Sequence, residues 1–282
     1  MVRSAVSRCQ LSKTLASTVT EALLNGIAQK AGDDNSRLNN ALRLLAKWRC
    51  ELIKNTLIQK EGTVVLNGPL KGLDFLEKSA EGCHVAKLLG VYEQPLHRHL
   101  QPILSGAYGT VVNLGCAEGY YAVGFAKAAP DIISYAFDID PSAQSACREL
   151  AVKNGVDHRV IVRGEFSIAD FEPYGEEPVI VFCDVEGAEE ELLDIEKAPT
   201  LANLDLIVES HECIRPGITK KLIDRFSTSH TVELVRDDGM RDLTKVPNWF
   251  LELSHLDQLL ATWEWRSGPT PWLIMKSRTR HA

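Results

Sequence analysis

From Thr110 to the end of the chain, short apolar runs alternate with longer stretches of helical spacing, and this alternation limits the fold more than any other feature. Runs of four to seven residues separated by helix-length segments are what βαβ units produce when they close a parallel sheet. The expected strands are 111–114, 132–138, 159–163, 179–184, 204–209, 231–235 and 272–275. Asp140 and Pro141 predict the start of a helix, Asn154 and Gly155 its end, and Pro216 the start of another. The expected fold class is therefore α/β.

Upstream the pattern is different. Residues 1–60 carry helix-spaced apolar positions and read as a helical arm of two packed helices, with Leu38, Leu42, Leu45 and Trp48 on one of them. Residues 61–109 read as a bridging segment: an apolar run from Val64 to Leu66, turns at Gly68, Pro69 and Gly72, then a helix around Leu96 and Leu100. Residues 110–282 form the main domain, with an insertion at 237–270 that holds Trp249, Phe250, Trp263 and Trp265. Those aromatics are expected to pack a small core of their own, with a lid over a binding pocket as the second use.

With 45% apolar and 24% charged residues the chain is of ordinary globular composition, which excludes disorder and coiled coil. No stretch reaches the roughly 18–20 apolar residues that span a bilayer, so no membrane role is expected. Seven cysteines, an odd number without a paired CxxC spacing, read as reduced packed thiols and place the protein in the cytoplasm. Arg3, Arg8 and Lys13 give the first twenty residues a superficial likeness to a transit peptide; an amphipathic helix with Leu11, Leu15, Val19 and Leu23 inward explains them more simply. Residues 1–109 carry a net charge of +5 and residues 110–282 carry −12, out of −7 in total. The basic side chains of the arm are dispersed, as on a solvated face, so a nucleic-acid partner is not expected, and the arm is instead a candidate surface for pairing two chains.

The chemistry should sit where the first strand ends. It runs into Asn113, Leu114, Gly115, Cys116, Ala117, Glu118, Gly119 and Tyr120, a glycine-containing turn that opens a helix. Glycines at 115 and 119 remove Cβ atoms where a ligand would lie against backbone, and the helix start offers unpaired N–H groups. A dinucleotide fingerprint would need glycine where Ala117 and Tyr120 stand, so pyrophosphate binding is disfavoured. The second strand ends in Phe137, Asp138, Ile139 and Asp140, which puts a carboxylate beside the glycine turn, where it can accept both hydroxyls of a ribose. The third strand leaves through Gly164, Glu165 and Phe166, where Glu165 can accept from an adenine amino group and Phe166 can touch its ring.

These segments, together with Cys183-Asp184-Val185-Glu186-Gly187-Ala188-Glu189 at the fourth strand, resemble the class I S-adenosylmethionine-dependent methyltransferases, and within them the FkbM-like group. The resemblance covers residues 110 to about 236, with a looser echo at Leu89-Gly90-Val91-Tyr92-Glu93. It implies a Rossmann-like seven-stranded methyltransferase sheet ordered 3-2-1-4-5-7-6 with the last strand antiparallel, and S-adenosylmethionine as cofactor. It further implies that the cofactor lies over the turn Asn113–Gly119 with Asp138 and Ile139 at its ribose, Glu165 and Phe166 at its adenine, and Asp184 facing the methyl group. Asn113 stands where the class usually has an acid, but its side-chain carbonyl can still accept.

Methyl transfer from a sulfonium needs alignment and a polar, dry site more than special residues, and a hydroxyl acceptor needs a base. The candidates are Asp184 and Glu186 after the fourth strand and Glu209 and His211 after the fifth. His211 is the expected base, with Asp184 and Glu209 orienting it or the acceptor, a small-molecule or sugar-like compound methylated on oxygen. The spacing of the four is not diagnostic of a metal, and none is expected. The competing readings are a cofactor-binding interaction module without turnover and an NAD-dependent dehydrogenase.

Overall fold

The computed structural model describes residues 14–28, 32–77, 82–175 and 177–281. Expectations placed on Arg3, Arg8, Cys9, Leu11 and Lys13 lie outside the described residues. Seven strands, β1 (Thr110–Leu114), β2 (Ile133–Phe137), β3 (Val160–Arg163), β4 (Val179–Cys183), β5 (Asp205–Glu209), β6 (His230–Val235) and β7 (Trp272–Ser277), form one sheet. Its order is β3-β2-β1-β4-β5-β7-β6, with β7 antiparallel to both of its neighbours and the remaining pairs parallel. This is the Rossmann-like order expected above. Ten α-helices accompany the strands among the described residues: α1 (Leu15–Ala28), α2 (Asp34–Glu61), α3 (His84–Leu89), α4 (His97–Leu104), α5 (Tyr120–Ala128), α6 (Pro141–Lys153), α7 (Glu189–Leu192), α8 (Ile218–Phe226), α9 (Asn248–Leu251) and α10 (His255–Thr262). None is long and apolar enough to cross a membrane.

The central strands read as unbroken apolar runs because the sheet is covered on both faces. Val111, Ile180, Ile207 and Ile274 belong to one core, shared with α2, α3, α5 and α6. Val112, Val181, Leu206 and Leu273, one residue out of phase, belong to the other, closed by Leu222 and Phe226 of α8. Asp140 caps α6 through Ser142 N–H, as its position before Pro141 predicts. Helix α8 starts two residues later than Pro216 suggests. There Glu212 reaches across a turn to accept from Gly217 and Thr219 N–H, and so takes up amide groups that a side-chain cap would otherwise serve.

The arm departs from expectation in which face is buried. Leu15 is 44% exposed, and Leu38, Leu42 and Leu45 are exposed as well, while Val19 and Leu23 are half-buried. The stripe of α2 that enters the core is Ala46, Cys50, Ile53 and Leu57, spaced 4, 3 and 4 residues apart. It packs where Arg49 forms a two-pronged bond with Asp257 of α10 and Cys50 Sγ–H reaches the carbonyl of Leu260. Arm and insertion therefore meet. Leu57→Ala should destabilise the protein by about 2–5 kcal/mol through a cavity in this core, whereas Leu38→Ala should stay within about 0.5 kcal/mol. Urea unfolding of the two variants checks this; equal losses would mean that α2 docks differently.

Candidate functional site

A cleft of about 1000 Å³ runs along the carboxyl ends of the central strands, lined by Leu114 and Gly115 at the end of β1, Asp138 and Ile139 after β2, Asp184 and Val185 after β4, and Glu209 and His211 at the end of β5. Its position follows from topology: β1 is paired with β2 on one side and β4 on the other, so the connections leaving β1 and β4 go to opposite sides of the sheet and open a crevice at their ends.

At one end of the cleft the turn after β1 is held by the chain itself. Gly115 N–H and Cys116 N–H both donate to the carbonyl of Phe137, at 2.9 Å each. Ala117 takes a left-handed conformation (φ 45°), and its N–H donates to Asp138 Oδ2 at 2.8 Å, while Asp138 Oδ1 accepts from Asp140 N–H. Asp138 lines the cleft as expected and also clamps the turn. The two glycines also meet a packing need. A Cβ on Gly115 would stand 1.6 Å from the carbonyl oxygen of Asp184, and one on Gly119 2.6 Å from Cys147 Sγ, so both glycines make room for the protein's own atoms, and Gly115 lines the cleft as well. Cys116 and Glu118 do not line the cleft. Both side chains are buried in the core, Glu118 in an ion pair with Lys87 at 2.8 Å in which each side chain is 1% exposed.

Asn113 is buried, donates from Nδ2 to the carbonyl of Phe182, and leaves Oδ1 without a hydrogen-bond partner. It borders a small cavity of about 20 Å³, room for about one water, together with Gly115, Ala117 and Asp184. Ile139 lines the cleft with 80% of its surface exposed, an apolar platform beside Asp138. Glu165 is exposed on the same wall. Phe166 also borders the cleft, but its ring is mostly committed to the core, edge-on to Phe137 and Phe171.

At the other end Asp184, Glu209 and His211 converge, as their strand-end positions predicted. His211 Nδ1 bonds Glu189 Oε1 at 2.5 Å, and its Nε2 lies 3.4 Å from Asp184 Oδ1 and 3.6 Å from Glu209 Oε2. Burial alone would lower the imidazole pKa, but the hydrogen bond to Glu189 and the charges of Glu209, Glu189 and Glu186 together raise it. Glu186 is on the cleft wall but exposed, in a left-handed conformation (φ 48°), and outside this cluster. Glu189 carries no strand-end signal; only its place five residues beyond Asp184 hinted at it.

Behind Glu209 stands a buried network that sequence reasoning missed. Arg266 bonds Glu209 and Thr270, and also Glu93 at 3.0 Å. Tyr121 donates to the other oxygen of Glu93 at 2.5 Å, Glu264 accepts from Glu93 N–H, and Arg241 bridges Glu264 and Asp237. Trp265 lines the cleft beside it from a left-handed conformation (φ 59°), its ring over Gly82, where a Cβ would come within 2.6 Å. No local pattern brings these residues together, because they come from the bridge, α5 and the insertion and meet only in the fold.

Burial and the charge of Glu209, against the opposing Arg266, push Glu93 up to about 8. The folded state thus keeps a proton that the unfolded chain gives up near the ordinary value of 4.5. Stability is therefore lost as pH rises from about 4.5 to about 8. Glu93→Gln should flatten the fall in melting temperature across that window, measured by calorimetry; an unchanged slope would show that Glu93 is charged in the folded protein.

No family model matches the chain, and no curated protein matches it. Among solved structures, it is similar to the O-methyltransferase TomG from Streptomyces achromogenes, involved in tomaymycin synthesis and solved with SAM, at 15% identity over 66% of this chain and 79% of that one, with a TM-score of 0.45. It is also similar to an O-methyltransferase from Bacillus cereus solved with SAH, at 11% identity over 93% of this chain and all of the other, with a TM-score of 0.45.

Proposed function

We propose that the protein is an S-adenosylmethionine-dependent methyltransferase that acts on an oxygen of a small-molecule acceptor. One observation carries the reading: a single cleft joins a wall made by Asp138, Ile139 and Glu165 to a polar corner made by Asp184, Glu209 and His211, with Gly115 between them. The residues fit the cofactor. Asp138 has lone pairs left for ribose hydroxyls, Ile139 offers an apolar surface to a purine, and Asn113 Oδ1 is a buried acceptor awaiting a donor such as an ammonium. The FkbM-like resemblance of the turn and of the Asp184 segment supports the same reading.

When bound, the cofactor supplies an electrophilic methyl on a sulfonium. The chain's own part is alignment. Asp138 and the turn it clamps fix the adenosine end, and the polar corner fixes the acceptor hydroxyl and accounts for its proton. Acidic side chains along the cleft outnumber the single Arg266, so a cationic cofactor is favoured and a phosphorylated acceptor is repelled. The ion pair between Lys87 and Glu118 holds the underside of the turn, which lets the loop keep its shape without the third glycine of a dinucleotide fold.

Calorimetry with S-adenosylhomocysteine tests the reading. Binding in the micromolar range is expected, and Asp138→Ala should weaken it about tenfold or more, with melting curves confirming that the variant folds. A melting temperature raised by NAD and not by S-adenosylhomocysteine would replace the reading with a dehydrogenase. Cofactor binding without transfer of label from the methyl group to any compound of a cell extract would reduce the protein to a binding module.

A further inference from the structure

We propose that Asp184, Glu209 and His211 form a divalent-cation site at the polar corner of the cleft. One oxygen from each carboxylate and one imidazole nitrogen lie within 4.8 Å of one another. The spacings of 3.4 and 3.6 Å from His211 Nε2 to Asp184 and Glu209 are those given above. They are too long for N–H···O hydrogen bonds, which close at about 2.7–3.2 Å. Ligands held about 2.1 Å from a common ion at about 90–110° to one another stand about 3.0–3.5 Å apart. The gap suits an ion at its centre better than a shared proton.

His211 supplies a second, independent observation. The residue is only 6% exposed, and its Nε2 makes no hydrogen bond among the described residues; it points into the space between the two carboxylates. Its other nitrogen is taken by Glu189, whose side chain is fully buried. A carboxylate on the far nitrogen is how proteins fix the tautomer and orientation of a metal-binding imidazole. Glu189 is therefore a positioning residue, acting through His211.

Charge balance points the same way. Asp184, Glu189 and Glu209 surround one imidazole, and Arg266, the cation nearest Glu209, is shared with Glu264. A bound dication would offset this excess. Two carboxylates and one imidazole suit Mn²⁺ or Zn²⁺ better than Ca²⁺, which takes six to eight oxygens. With the ion in place His211 is a ligand, so the expectation that it serves as the base is given up. The remaining coordination positions face the cleft, open to an oxygen of the acceptor. Only that last statement rests on the methyltransferase reading.

The test uses the purified full chain without cofactor. Mn²⁺ is titrated while free Mn²⁺ is followed by electron paramagnetic resonance, with Mg²⁺ and Zn²⁺ as competitors. One Mn²⁺ per chain is expected, released by Asp184→Asn and by His211→Asn. Glu189→Gln should weaken binding about 10–100-fold. Mn²⁺ should raise the melting temperature of the wild type and leave that of Asp184→Asn unchanged. Asp184 is a quarter exposed, so its amide variant should fold, and its melting curve without metal verifies this. A wild type that binds no Mn²⁺ below about 1 mM overturns the proposal, and so do Asp184→Asn and His211→Asn variants that bind as the wild type does. Metal binding without S-adenosylhomocysteine binding would leave the site standing and remove the methyltransferase reading; the reverse result would sink the site alone.

Discussion

At the centre of the site backbone lies directly against backbone. At Gly115 the carbonyl of Asp184 occupies the place a side chain would need, so the ends of β1 and β4 press together with nothing between them. This contact ties the turn that would hold a cofactor to the residue that heads the polar corner. A single methyl group at position 115 would have to push the two strand ends apart, and a left-handed conformation (φ 73°) adds to its cost. The distance between the two halves of the chemistry is thus set by main chain, the least adjustable part of a protein.

Around that contact the structure spends buried charge. Lys87 and Glu118 lie beneath the turn among the rings of Phe75, Tyr92 and Tyr120, and Arg266 and Arg241 lie behind the corner among Glu93, Glu209, Glu264 and Asp237. Ion pairs withdrawn from water add little net stability, because desolvation offsets their attraction, but breaking one is costly. Their effect here is geometric. Each pair joins a segment from before the sheet or from the insertion to a loop at the strand ends, and so holds the cleft wall against rearrangement. Trp265, one of the residues on that wall with a left-handed conformation, lies next to this network.

Much of the site was legible because it follows from local rules. A strand that ends in a glycine turn and a second strand that ends in an acid are patterns of period and punctuation, and they pointed to the strand ends where Gly115, Ala117, Asp138, Asp184, Glu209 and His211 line one cleft. What local rules missed was packing. Gly115 and Gly119 were read as space for a ligand, and they also make space for Asp184 and Cys147. Cys116 and Glu118, adjacent in sequence to cleft residues, turn into the core because the turn reverses direction at Ala117. The arm's apolar stripe was taken one face away from the one buried, since a helix with leucines on several sides does not reveal which of them meets a neighbour.

By itself the sequence determined the strand sequence, the α/β class and the carboxyl edge at which the chemistry had to lie, because backbone periodicity and turn chemistry act over a few residues. Only the tertiary structure decided that Glu189 would hold His211, that Glu93 would meet Arg266 across 173 positions, and that three side chains from two strand ends would face one another at ion-binding distances. Those pairings depend on where separate elements cross, and the crossing is set by packing across the whole sheet, to which no short stretch of residues has access.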